Sequence, residues 1–82
     1  MKKIEMIKEI IEHLKNTNTF NSKLFVNYAY SINNWARIEN KAKRQKKEYI
    51  KKIYNLYNYG YYKTEHNQKQ SDFKLLYDLI NY

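Results

Sequence analysis

Apolar side chains recur at three- and four-residue spacings through most of this chain, and no segment sustains an alternation of apolar with polar residues. That period belongs to the α-helix, whose same-face neighbours are i, i+3 and i+4, and not to the strand, whose faces alternate at every residue. Proline is absent and glycine occurs once, at Gly60, so little in the chain interrupts helix formation. The expected fold class is all-α: a single small helical domain, residues 1–82, of three to four helices with a long central basic amphipathic helix. A short hairpin over Tyr59–Gln68 is the one exception entertained.

Ile4, Ile7, Ile10, Ile11 and Leu14 line one face of a first helix over about residues 2–15, with Glu5–Lys8 and Glu12–Lys15 as i,i+3 pairs outside. Asn16-Thr17-Asn18-Thr19 are poor helix formers, and Thr19, Asn21 or Ser22 can cap a restart near Ser22. From there Leu24, Tyr28, Ile32, Trp35, Ile38, Ala42, Tyr49, Ile53 and Leu56 follow one stripe, weakened only by Gln45 and Lys46. One helix over 22–58 would be roughly 55 Å long, too long for a compact domain of this size. The favoured reading is a break or kink at Asn33-Asn34, because paired asparagines lower helix propensity and cap well. Gly60 stands where a C′ residue would end the long helix. Ser71 with Asp72 starts a last helix carrying Phe73, Leu76, Tyr77 and Ile80.

Charge is distributed unevenly over this helical frame. Residues 1–40, 41–63 and 64–82 carry +2, +7 and −1. Lys41, Lys43, Arg44, Lys46, Lys47, Lys51 and Lys52 crowd into twelve residues against the single acid Glu48. On a continuous wheel of residues 35–57, Arg37, Lys41, Arg44, Lys47 and Lys51 fall opposite Trp35, Ile38, Ala42, Tyr49, Ile53 and Leu56. An apolar seam and a basic face on opposite sides describe a surface that meets phosphate, anionic lipid or an acidic protein. The plain alternative is a solvated helix face. Lysine outnumbers arginine fourteen to two, and Asn, Ile and Tyr abound. An AT-rich genome imposes that composition on any surface, which lowers the weight of the lysine count.

Several classes of chemistry are disfavoured. A chain of 82 residues buries only about 60–65% of its unfolded surface and has little room for a deep pocket. The lack of cysteine removes disulfides, thiolate nucleophiles and cysteine-based zinc sites, and makes a cytoplasmic location the simplest expectation. Glu5, Glu9 and Glu12 interrupt any signal-like core after Met1-Lys2-Lys3, and no apolar stretch suits a membrane span. His13 and His66 sit in different elements without flanking carboxylate pairs, so no metal and no cofactor are expected. One glycine rules out the usual phosphate-cradling loops, and the singly spread acids suggest no paired-carboxylate site. Tyrosine nucleophiles would need an arginine-rich setting, and the chain has two arginines. The expectation is a non-enzyme.

The function expected first is nucleic-acid-associated binding through the basic face of about residues 37–52. Arg37, Lys41, Lys43, Arg44, Lys47 and Lys51 would contact the phosphate backbone and release counterions. Tyr54, Tyr59, Tyr61 and Tyr62 are candidates for stacking on unpaired bases or for anchoring a partner, with core packing as their plain reading. A helix-turn-helix is not supported, because the turn lacks its glycine and the second helix is too long. The alternative is a small protein inhibitor of phage or mobile-element type, docking on a host nucleic-acid-processing or defence effector in an anti-CRISPR-like role. Trp35, Tyr28 or Tyr30 would then be anchors, although Trp35 also reads as the largest member of the core seam. A homo-oligomer is compatible with either function: Trp35, Ile38, Ala42, Gln45, Tyr49, Lys52 and Leu56 follow an alternating spacing that suits a coiled-coil seam.

Overall fold

The computed structural model describes residues 1–17, 35–63 and 68–80, with side chains described from residue 71 onward in the last segment. Among the described residues there are four helices and no strand: α1 (Lys3–Asn16), α2 (Trp35–Lys43), α3 (Lys47–Asn58) and α4 (Gln68–Ile80). The expected hairpin is not formed over its described residues, since Tyr59–Tyr62 is a turn and Gln68 already begins α4. Asn33-Asn34 lies outside the described residues.

Helix α1 is the centre of the molecule and packs against each of the other three, most extensively against α3. Its buried face is Met6, Ile7, Ile10, Ile11 and Leu14, close to the stripe its spacing predicts. Glu5 in the first turn and His13 and Lys15 in the last complement the helix dipole. Thr17 ends the helix, its hydroxyl donating to the Leu14 carbonyl at 2.9 Å. Outer-face ion pairs at helix spacing occur among the described residues at Glu39–Lys43 (3.3 Å) and Lys74–Asp78 (3.7 Å). Neither of the pairs expected on α1 is formed.

The central helix expected to run unbroken through residues 35–57 is two helices, interrupted at Arg44-Gln45-Lys46. No proline or glycine marks this joint, so its cause is tertiary. The end of α2 tightens through Arg44 N–H to the Lys41 carbonyl (3.2 Å) and Gln45 N–H to the Ala42 carbonyl (3.0 Å). The Lys3 ammonium then donates to the carbonyl oxygens of Lys43 (2.7 Å) and Gln45 (3.0 Å), satisfying groups that the break leaves without helical partners. Helix α3 restarts with a new phase. Ile50, at the edge of the extrapolated stripe, is completely buried, while Tyr49 and Leu56, which lie on it, are only partly buried. Full burial of an isoleucine stabilises by about 1.5–3 kcal/mol, comparable with the local helical hydrogen bonds given up at the joint.

The single glycine performs the expected task. Gly60 has φ +83. Its N–H donates to the Tyr57 carbonyl at 3.1 Å, and Tyr61 N–H donates to the Leu56 carbonyl at 3.0 Å, the paired bonds of a Schellman C-cap. The turn delivers Tyr62 into the core.

Helix α4 departs from its predicted phase. It begins at Gln68 and not at Ser71, because Gln68, Lys69 and Gln70 are good helix formers that extend it upstream of the capping residue. Its buried face is Ser71, Asp72, Leu75, Leu76, Leu79 and Ile80, leaving Phe73 exposed and Tyr77 63% exposed. Leu75 and Leu79 replace the two aromatics in the core at the cost of burying Asp72. The Asp72 carboxylate lies 3.7 Å from Nε2 of His13 on α1, and the imidazole in turn packs on Tyr57 at 5.1 Å between ring centroids.

Candidate nucleic-acid interface

The break between α2 and α3 reorganises the basic residues. Arg37 and Lys43 on α2, Arg44 and Lys46 in the joint, and Lys47, Lys51 and Lys52 on α3 are exposed, whereas Lys41 is partly buried. Lys43 is held by Glu39 at 3.3 Å, and its charge is partly balanced there. The expected single stripe from Arg37 to Lys51 is thus divided among α2, the joint and the first half of α3. Lys46, which falls in the apolar seam of a continuous wheel, is exposed, as is Lys52.

Three shallow depressions border the cluster. Arg44, Gln45, Lys46 and Tyr49 line one of about 320 Å³. Lys47 and Lys51 line a second of about 200 Å³ with Met1, Met6, Tyr54 and Asn55. Lys52 lines a third of about 310 Å³ with Tyr49, Ile53, Leu56, Tyr61, Tyr62 and Asp78. Tyr49 belongs to the first and third, so the basic joint leads past this ring to the tyrosines after α3. Gln45 itself is 4% exposed and closes the floor of the joint.

The four candidate stacking tyrosines separate into two kinds. Tyr59 is 89% exposed and Tyr61 55% exposed, and both present ring surface to solvent. Tyr62 is 4% exposed, and its hydroxyl donates to Asp78 Oδ2 at 2.7 Å, which corrects its candidacy as a stacking residue. Burial, and then this bond to a carboxylate, push the Tyr62 phenol well above the ordinary tyrosine range. Tyr54 is partly buried and donates to Glu9 Oε2 at 2.7 Å, a bond that raises its pKa and ties α3 to α1. Tyr49 donates to the Asp78 main-chain carbonyl at 2.7 Å, and burial raises its pKa. These hydroxyls are neutral donors with structural partners.

Other expected sites are also relocated. Trp35 is buried in the core and is not a surface anchor; Tyr28, Tyr30 and His66 lie outside the described residues. Trp35, Ile38, Ala42 and Gln45 are all buried within the protomer, and the joint interrupts their heptad, so they do not form a coiled-coil seam between copies. Among the described residues no cluster of three or more His, Asp or Glu side chains could hold a metal ion, and no helix is long and apolar enough to cross a membrane.

Fold and surface together describe a small all-α protein with a basic interhelical joint beside exposed tyrosines. No family model, curated protein or solved structure matches the chain.

Proposed function

We propose that this chain is a non-enzymatic protein that binds nucleic acid through its phosphate backbone, using the basic surface of about residues 37–52. One observation carries the reading: Arg44, Lys46, Lys47, Lys51 and Lys52 are all exposed around one joint. Glu48 is the only acid in that sequence run. Exposed cations in one segment attract a polyanion, and counterion release then supplies affinity without any base contact. Three acids elsewhere have structural neighbours: Glu9 accepts from Tyr54, Asp72 faces His13, and Asp78 accepts from Tyr62.

Fluorescence titration of labelled single- and double-stranded oligonucleotides at two salt concentrations tests the proposal. Binding at low salt that weakens steeply at higher salt supports it; absence of binding at low salt defeats it. A pull-down that recovers one stoichiometric protein, unaffected by nuclease, would favour instead the inhibitor that docks on a host effector.

A further inference from the structure

The third depression holds a combination that phosphate binding does not require: aromatic walls around a carboxylate. Tyr49, Leu56, Tyr61 and Tyr62 line it, with Lys52 and Asp78 as its charged members. Its volume of about 310 Å³ lies at the lower end of ligand pockets. Tyr61 meets Tyr62 edge to face, with centroids 5.0 Å apart and planes at 87°. This contact braces the half-exposed Tyr61 ring. Tyr62 and Lys74 both address Oδ2 of Asp78, at 2.7 and 3.7 Å, and the Asp78 side chain retains 22% exposure. A carboxylate here repels phosphate, and what it attracts is a group rich in N–H donors.

We infer that this depression receives one unpaired nucleobase, guanine in preference to the others, from a strand whose phosphates lie on the basic joint. The inference rests on the phosphate-binding reading and extends it from backbone to base. Tyr61 supplies the stacking face, a sequence-tolerant contribution. Asp78 supplies the selectivity. Guanine presents N1–H and N2–H side by side, matching the two oxygens of a carboxylate, whereas cytosine and adenine each offer one amino group. Thymine sets its single N–H between two carbonyl oxygens, which a carboxylate repels. Lys52 at the rim neutralises the adjoining phosphate, and Tyr49 links this base site to the depression bearing Arg44 and Lys46.

The test uses labelled oligothymidylates of one length carrying a single central dG, dC, dA or dT. The dG strand binds about tenfold more tightly than the all-dT strand, the scale of one base-edge reading. Tyr61→Ala weakens the dG strand about five- to tenfold, the scale of one stacked base, while Tyr61→Phe, which keeps the ring, does not. Asp78→Asn brings dG and dT within about twofold of each other, leaving the all-dT affinity in place. Should Asp78→Asn fail to fold, the wild-type base series and the two Tyr61 variants still decide. Equal affinity for all four strands, unchanged by Tyr61→Ala, overturns the base site while leaving backbone binding intact. Failure to bind any strand overturns both.

Discussion

The ammonium of Lys3, in the first turn of α1, donates to the main-chain carbonyl of Lys43 at 2.7 Å, and to that of Gln45 at 3.0 Å. A cation forty residues away in sequence therefore closes the C-terminal end of α2 and holds the joint on which the basic cluster is displayed. Lys3→Met keeps the side-chain length but removes the donor, and should cost about 1 kcal/mol. Chemical denaturation measures this, and Lys3→Arg should recover part of it.

The joint also shows what the sequence reveals and what it hides. All-α architecture is legible because Ile4 to Leu14, Trp35 to Ala42 and the last helix repeat at helical spacing, and Gly60 announces its C-cap because only a residue tolerant of positive φ suits it. The break at Arg44–Lys46 is not legible. Lysine, arginine and glutamine are good helix formers, and the partner that satisfies the broken end, Lys3, is remote. After the joint the buried face turns toward Ile50, and Lys46, in the seam of a continuous wheel, stands exposed. Tyr62 likewise reads as one of a run of similar tyrosines until the turn carries it into the core.

Gly60→Ala should destabilise the protein by about 1–2 kcal/mol, the cost of placing a Cβ in the left-handed region. No atom lies within 4 Å of the added Cβ, so the loss is conformational and not steric. Gly60→Asn, more tolerant of that region, should lose less. Thermal unfolding of the two variants orders them.

The phase of α4 is open to direct test. Leu75 is fully buried and Tyr77 is 63% exposed. Leu75→Ala should therefore cost about 2–5 kcal/mol, and Tyr77→Ala should stay within about 0.5 kcal/mol. The reverse order in denaturant midpoints would restore the stripe through Phe73 and Tyr77.

Alkaline stability should depend on Tyr62. Burial and the bond to Asp78 raise its folded-state pKa above the ordinary value of about 10. Below that value both states keep the proton. As pH rises above it the unfolded chain ionises while the folded chain does not, so the unfolded state binds fewer protons and stability falls. Tyr62→Phe loses about 1 kcal/mol at neutral pH through the missing hydrogen bond. The gap to wild type should then narrow between about pH 9 and 11. Denaturant midpoints across that range, wild type against variant, measure the difference.

The most direct measurement for the function proposed is the slope of log affinity against log salt for a short DNA duplex, compared with a variant in which Arg44, Lys46, Lys47 and Lys51 are changed to Glu. All four side chains are exposed, so the fold should survive, which circular dichroism checks. With roughly 0.9 of slope per neutralised phosphate, wild type should show a slope near −4 and the variant should approach zero with affinity lost at low salt. An unchanged slope in a folded variant, or no binding by wild type at about 50 mM salt, would contradict the account.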